Sequence, residues 1–201
     1  MKKNEGTGSI TEVRVPDTEQ FRQLYRQYIT ADFPPEERMT VEQCASLLEK
    51  GILRCHCFYG GEALLGYAVS VADSRSGCLF IEYLAVTKER RGRGIGSEML
   101  RFFSDYAKDY NFILLEVEDE RRAKTRSERD TMERRLRFYT AAGAVYTGTA
   151  AVTYGVPYRL LAFQCSGSIP HGSISGIYRR LYRSKLGAIA VMLHIRTKRE
   201  R

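Results

Sequence analysis

The chain has 201 residues, of which 43% are hydrophobic and 28% charged, so it can form one globular domain with a sizeable core but not two full domains. Its five cysteines are odd in number and scattered, which excludes a disulfide framework and a zinc-binding spacing and favours a reduced, cytoplasmic setting. The formal net charge is +8, but residues 171–201 hold eight Lys or Arg and one acid, so the rest of the chain is close to neutral.

The sequence shows no targeting or membrane-spanning pattern. Its first residues, MKKNEGTGSI, lack the apolar run of a signal peptide. No stretch reaches the roughly 18 apolar residues that a membrane-spanning helix needs. We therefore expect a soluble protein.

The first third of the chain predicts two helices. The first begins at a cap, Asp17 or Thr18, and stops before Pro34 and Pro35. The second begins at Thr40, which with the residue three positions later completes a capping box, and ends at a glycine.

The middle of the chain predicts strands around one more helix. A hairpin turns at Gly60 and Gly61, and residues 78–86, CLFIEYLAV, form a further strand. After a glycine-rich loop, a helix follows with its apolar face formed by Met99, Leu100, Phe103 and Tyr106, and it closes at Asn111.

The C-terminal half predicts a strand over residues 112–119, a charged loop, and a helix capped by Asp130 and ended by Gly143. Two strands separated by Pro157 come next. After a linker, an amphipathic helix is marked by Ile174, Ile177, Tyr178, Leu181, Ile189 and Met192.

This order of elements predicts an α+β fold, also described as an α/β three-layer fold. The central sheet is mixed and mostly antiparallel, with helices on both faces, because hairpins supply antiparallel pairs and the central strand–helix–strand unit supplies a parallel one. We expect one domain over residues 1–165, followed by a linker and a basic amphipathic helix over residues 166–201.

The segment LAVTKERRGRGIGSEML, residues 84–100, places three glycines at the start of the predicted fourth helix. A helix start exposes unpaired backbone N–H groups and a positive dipole end, which favour an anion. Gly92, Gly94 and Gly96 lack the Cβ atoms that would keep a phosphate from the backbone. The same glycines could instead serve only a tight turn.

The segment also resembles the acyl-CoA-binding signature of the GNAT superfamily of N-acetyltransferases, Gln/Arg-x-x-Gly-x-Gly/Ala, carried here by Arg91, Gly94 and Gly96. The later segment RRLRFYTAAGA resembles the family's helix that ends in Tyr-x-x-x-Gly. The order of elements agrees from about residue 10 to residue 164. The resemblance implies the GNAT fold, acetyl-CoA as co-substrate, no metal, and a primary amine of a small molecule or peptide as acceptor.

The resemblance also implies the binding residues. The pyrophosphate of coenzyme A is expected on Arg91, Gly92, Arg93, Gly94, Ile95, Gly96 and Ser97. The pantetheine arm is expected beside Leu84, Ala85 and Val86, with the thioester at a splay between the central strands and its carbonyl polarised by a backbone amide near Val86.

Acyl transfer to an amine needs a proton acceptor for the amine and a proton donor for the thiolate. Tyr139 resembles the family's tyrosine that protonates the sulfur. Glu116 resembles the position of the base in some members, Glu82 is its rival, and Glu118 could substitute for it. The chain departs from the family at Met132, where many relatives carry an asparagine that holds the pantetheine.

Other residues give weaker signals. The alternation of a strand places Cys55 and Cys57 in the core and an exposed His56 on the opposite face, which does not make a metal site. Glu36 and Glu37 could meet a cationic amine or only favour the start of a helix. The charged insertion at 119–130 could be a lid or a solvated loop.

The C-terminal helix could dock on the domain, which we favour, on a second copy to form a homodimer, or on an anionic membrane surface. A nucleic-acid partner is not expected, because the RGRG segment opens a helix and lacks interleaved aromatic residues. The alternative to an enzyme is a sensor or interaction module of the same fold that binds acyl-CoA without turnover.

Overall fold

The computed structural model describes residues 8–200 as two compact units. The first unit contains residues 8–70 and Glu82–Tyr106, and the second contains Val71–Ile81 and residues 107–200. The helices are α1 (Thr18–Leu24), α2 (Thr30–Asp32), α3 (Val41–Glu49), α4 (Ile95–Tyr106), α5 (Arg126–Ala141) and α6 (Ile174–His194), with a π-helical turn (Tyr25–Ile29) between the first two. The strands are β1 (Glu12–Arg14), β2 (Leu53–Gly60), β3 (Ala63–Asp73), β4 (Cys78–Val86), β5 (Phe112–Glu118), β6 (Val145–Thr153), β7 (Val156–Gln164) and β8 (Ile195–Arg199).

The strands form the mixed, mostly antiparallel sheet that the sequence predicts. In the first unit β1 pairs antiparallel with β2, which is joined to β3 by a two-residue turn containing Gly61 at φ +61°. In the second unit the strands lie in the order β4, β5, β7, β6, β8. The parallel pairing of β4 with β5 joins Cys78–Ile81 to Phe112–Leu115, and the other pairings of β5, β6, β7 and β8 are antiparallel.

Capping boxes start α1 and α3, of which the sequence predicts the box at Thr40 and, for α1, a cap at Asp17 or Thr18. Asp17, rather than Thr18, caps α1: its side chain accepts from the Gln20 N–H at 2.8 Å, and the Gln20 side chain accepts from the Asp17 N–H at 2.9 Å. Thr40 and Gln43 form the same reciprocal pair at α3. These local hydrogen bonds depend on residues three positions apart, which is why the sequence identifies them.

In the second unit, α5 packs on one face of the sheet and α6 on the other. Leu136 and Tyr139 of α5 pack against Leu115 and Val117 of β5. The buried Tyr178 of α6 lies edge-on to Phe80 of β4, with ring centroids 6.1 Å apart. The C-terminal helix therefore docks on the chain's own sheet.

Several local predictions in the second unit are wrong. The helix α5 begins at Arg126, inside the segment expected to be a loop, because Thr125 and Glu128 form a capping box five residues before the expected cap, Asp130. The hairpin between β6 and β7 turns at Tyr154 (φ 49°) and Gly155 (φ 87°), and Pro157 lies within β7. Two consecutive residues of positive φ make the two-residue turn that matches strand twist.

The end of the chain also differs from the expected helix. The helix α6 kinks at Gly187 (φ 82°), and the chain then forms β8, which pairs with β6. Ile189 and Met192, expected on the apolar face, are 72% and 69% exposed beyond the kink.

Among residues 8–200, no helix is both long and apolar enough to cross a membrane. The division at residue 165 stays a prediction.

His56 of β2 is buried rather than exposed, at 5%. It lies beneath α4, with its ring centroid 4.8 Å from that of Tyr106 and 5.4 Å from that of Phe102. Strand alternation places His56 opposite the cysteines correctly, but both faces of the strand are covered. Alternation therefore identifies the face and not its exposure.

Candidate active site

The loop of residues 91–97 leads into α4 in the first unit. Gly92 and Gly94 have φ values of +75° and +82°, which L side chains rarely adopt, so the backbone itself requires glycine at both positions. A Cβ atom at either position would meet no heavy atom within 4 Å. The surface above both glycines is therefore open to a ligand.

The backbone N–H groups of this loop are not engaged by the part of the chain that the structure describes. Among residues 8–200, no hydrogen bond is donated by the N–H groups of residues 91–96, whereas those of Ser97 and Glu98 both bond to the Gly94 carbonyl. The loop opens the 12-residue α4, whose positive dipole end lies there. Exposed donors, a helix dipole and missing Cβ atoms together fit a diphosphate.

The side chain of Arg91 is turned back onto the protein. Its Nε donates to the Val86 carbonyl at 3.0 Å, and its Nη2 donates to Oδ1 of Asp32 at 2.6 Å. Asp32 also accepts from the hydroxyl of the buried Tyr67 at 2.8 Å. Arg91 therefore fixes the loop to the end of β4, and the exposed Arg93 is left to carry charge at the rim.

The end of β4 is held by β3. The Thr87 N–H donates to the Leu65 carbonyl at 2.9 Å. A Cβ on Gly66 would lie only 2.7 Å from the Ala85 carbonyl oxygen, so the two strands approach closely. Ala85 is buried, whereas Leu84 and Val86 are half-buried and lie on one face by alternation.

Glu82 lies on the same face of β4 as Leu84 and Val86 and is half-buried. It lies in the first unit with the glycine loop, whereas Glu116, Glu118 and Tyr139 lie in the second.

Tyr139 extends from α5 and is half-buried against Leu115 and Val117. Burial raises the pKa of its phenol to about 12, with a smaller contribution from the negative charge of Glu118 and an opposing one from Arg135. The hydroxyl therefore keeps its proton at neutral pH, as a proton donor must. Within residues 8–200, no hydrogen bond to that hydroxyl is found.

Glu116 lies on the opposite face of β5 from Tyr139. Its Oε1 accepts hydrogen bonds from the hydroxyls of Tyr178 and, at 2.6 Å, Tyr182, both on α6. Glu118, two residues further, is instead engaged by Arg135 of α5 at 2.6 Å. The structure therefore separates Glu116 and Tyr139 onto two faces of one strand.

Sequence reasoning did not identify Asp32, Tyr178 and Tyr182 as members of these networks. Asp32 lies far from Arg91 in the chain, and no local pattern connects them. Tyr178 and Tyr182 are four positions apart and so share a helix face, which was a usable signal. Tyr178 was interpreted only as part of an apolar face, because the sequence does not show that a carboxylate lies opposite it.

The remaining candidates do not assemble into a site in the structure. Glu36 and Glu37 belong to a 3-10 turn (Pro35–Glu37), where the Tyr83 hydroxyl donates to the Glu37 carbonyl at 3.5 Å. Met132 is half-buried on α5. Within residues 8–200, no cluster of three or more His, Cys, Asp or Glu could hold a metal ion, and no disulfide joins the cysteines.

Solved structures share this fold. A protein from Bacteroides thetaiotaomicron described as a GNAT-family acetyltransferase matches with a TM-score of 0.68 at 19% identity, over 88% of this chain and 99% of its own. Mutant forms of the spermidine/spermine N-acetyltransferase SpeG from Vibrio cholerae match with a TM-score of 0.57 at 14% identity, over 77% and 95%. Ard1 from Thermoplasma volcanium matches with a TM-score of 0.56 at 18% identity, over 77% and 97%.

No curated protein sequence matches the chain significantly. The sequence model of the Acetyltransferase (GNAT) family matches residues 18–127, more than half of the chain and including the whole glycine loop. With the mixed sheet and the loop geometry, this match shows that the chain belongs to the GNAT family of acetyltransferases.

Proposed function

We propose that the chain is an acetyl-CoA-dependent N-acetyltransferase that transfers an acetyl group to a primary amine of a small molecule or peptide. The transfer takes place by direct attack in a ternary complex. The loop of residues 91–97 carries this proposal, because its open glycine positions and unengaged N–H groups suit the diphosphate of a coenzyme. Membership of the family supports the proposal.

The proposed binding residues follow the two halves of coenzyme A. The residues for the diphosphate are Arg91, Gly92, Arg93, Gly94, Ile95, Gly96 and Ser97, and those for the pantetheine arm are Leu84, Ala85 and Val86. The bound coenzyme would supply an acetyl group activated as a thioester. The chain holds the loop through Arg91 and through Ile95, which is 1% exposed.

The proposed proton transfers balance the reaction. The amine nitrogen bonds to the acetyl carbon, the carbon–sulfur bond breaks, a carboxylate accepts the amine proton, and the Tyr139 hydroxyl donates a proton to the sulfur. Amines of pKa about 10 are mostly charged at neutral pH, so the acceptor carboxylate is needed. Glu116 is the proposed base, and Glu82 is the alternative. Glu118 is a weaker candidate, because its carboxylate is engaged in an ion pair with Arg135.

Two measurements on the purified chain test the proposal. The chain is first titrated with acetyl-CoA by calorimetry, and it is then mixed with acetyl-CoA and a panel of amines. The panel includes spermidine, since one structural neighbour is described as a spermidine/spermine N-acetyltransferase. The acetylated amine is measured by mass spectrometry, because the partly exposed thiol of Cys165 would add to the signal of a thiol reagent. We expect heat on binding and at least one acetylated amine.

Two other results would change the conclusion. Binding without turnover of a panel that contains peptides and small amines would favour the acyl-CoA sensor. The absence of binding would overturn the cofactor site itself. A cytoplasmic location and a homodimer through α6 also stay predictions, and light scattering measures the second.

A further inference from the structure

Two tyrosines of α6 converge on one carboxylate oxygen. Tyr178 and Tyr182 are one helical turn apart, and both hydroxyls donate to Oε1 of Glu116, the second at 2.6 Å. The Tyr178 hydroxyl also lies 2.5 Å from Oγ1 of Thr153 on β6. Because Tyr178 donates to Glu116, Thr153 donates to Tyr178, and the hydrogen bonds form a chain that ends on the carboxylate.

Burial fixes the direction of these hydrogen bonds. Tyr178 is 0% exposed and Tyr182 is 6% exposed, so water competes little for either hydroxyl. Burial, and next the negative charge of Glu116, raise the pKa of Tyr178 well above its ordinary value. A phenol that keeps its proton acts as a donor to the carboxylate.

We propose that Tyr178 and Tyr182 are positioning residues that hold the Glu116 carboxylate to accept the proton of the acceptor amine, so that the C-terminal helix forms part of the catalytic apparatus. This inference rests on the proposed function, in which Glu116 is the base. Two donors on one oxygen fix the orientation of the carboxylate, which a single hydrogen bond would leave free to rotate.

Other titratable groups lie on the elements around this carboxylate. From α6, Lys185 is 8% exposed, and its Nζ lies 3.7 Å from the Tyr182 ring centroid and 5.1 Å from that of Phe80. From β5 itself comes Glu118, whose charge is compensated by Arg135. The buried Tyr158 lies on β7, at the register position opposite Glu118 of β5. The two α6 hydroxyls are therefore not the only titratable groups near Glu116. The effect of removing one of them has to be compared with a variant that leaves these groups unchanged.

The pH dependence of kcat/KM tests the proposal, with the best acceptor of the amine panel. In Tyr182→Phe the ring stays and one donor to the carboxylate is lost, so Glu116 takes up a proton at a higher pH. We expect the ascending limb of the profile to move to higher pH by about one unit, the size that follows from a hydrogen bond to a charged group. The KM for acetyl-CoA should not change.

The matched control is Tyr146→Phe. Its hydroxyl donates to Oε2 of Glu200 at 2.6 Å, so the substitution removes a hydrogen bond of the same type and length from another carboxylate of the same unit. This control should leave the ascending limb in place. Thermal unfolding of both variants shows whether the fold is retained, and Tyr182→Phe is the main test because Tyr178 is fully buried.

The outcomes separate the inference from the proposed function. An unmoved limb in Tyr182→Phe, with turnover by the wild type, overturns the positioning role alone. A wild-type rate in Glu116→Gln overturns the inference as well and leaves Glu82 and Glu118 as candidates for the base. A wild type that binds acetyl-CoA and acetylates no amine overturns both. A shift of the ascending limb to higher pH in Tyr182→Phe, together with a strong loss of kcat in Glu116→Gln, supports the proposal.

Discussion

Arg91 joins the glycine loop to the last residue of α2, Asp32, with 2.6 Å between Nη2 of the arginine and Oδ1 of the aspartate. The arginine side chain is 55% exposed and the aspartate 11% exposed, so the ion pair is partly screened by solvent. Because the same guanidinium also donates to the Val86 carbonyl, it orients the backbone where the coenzyme is expected to lie.

Arg91→Gln should therefore impair coenzyme binding more than stability. We expect the KM for acetyl-CoA to rise about tenfold, because small displacements of a binding loop are costly, while the melting temperature changes little. Steady-state kinetics and thermal unfolding measure the two effects. Arg14→Gln is the control: it breaks another 2.6 Å ion pair in the first unit, to Glu12, and should leave the KM unchanged.

Gly94→Ala should weaken binding of coenzyme A. The residue would be forced to keep φ near +82° and would place a methyl group on the open surface above the loop. We expect the dissociation constant to rise at least about tenfold by calorimetry, since the diphosphate loses its close approach to the backbone.

Gly61→Ala is the matched control for this change. Gly61 also has a positive φ, +61°, and open space where a Cβ would lie, and it belongs to the same unit. The variant should show a comparable loss of stability with unchanged coenzyme binding. Equal binding losses in both variants would attribute the effect of Gly94→Ala to unfolding rather than to the site.

Tyr139→Phe tests the proposed proton donor. The ring still packs against Leu115 and Val117, so stability should be nearly unchanged. The kcat should fall about a hundredfold with little change in KM, the usual size for loss of a general acid. Because the pKa of Tyr139 is raised to about 12, its ionisation should not reduce the wild-type rate below about pH 11. A variant with the wild-type kcat would contradict the assignment.

His56 should make the fold sensitive to mild acid. Burial, and next the charge of Arg54, lower the pKa of His56 to about 4, and the unfolded chain titrates near 6.5. Between these values the unfolded state binds a proton that the folded state does not, so stability falls as pH falls from about 6.5 towards 4. We expect this histidine to account for a loss of about 2 kcal/mol between pH 7 and pH 5.

Urea unfolding of the wild type and of His56→Gln at both pH values measures this effect. The variant lacks the titrating ring, so its stability should fall less on acidification, by about 2 kcal/mol. Carboxylates that titrate in the same range affect both proteins equally and cancel in the comparison. Parallel losses in the two proteins would show that His56 is protonated in the folded state or makes no contribution.

Short-range chemistry made much of the fold and the backbone conformation of the glycine loop predictable. The caps at Asp17 and Thr40 depend on partners three residues away, and the glycine loop depends on backbone conformations that few other residues adopt. The capping box at Thr125 was equally local, but it was missed because residues 120–129 show no apolar periodicity and Asp130 also fitted the pattern of a cap.

Long-range contacts decided the rest. Alternation assigned His56 to the correct face, but its burial depends on α4, which lies far along the chain. The sequence likewise determined that Ile174, Ile177, Tyr178 and Leu181 share one face of a helix, because spacing along a helix is a local property, but it did not show the kink at Gly187 or the strand β8. Only the tertiary structure decided that Tyr178 and Tyr182 meet Glu116, because their contact spans more than 60 residues and depends on which face of β5 the helix covers.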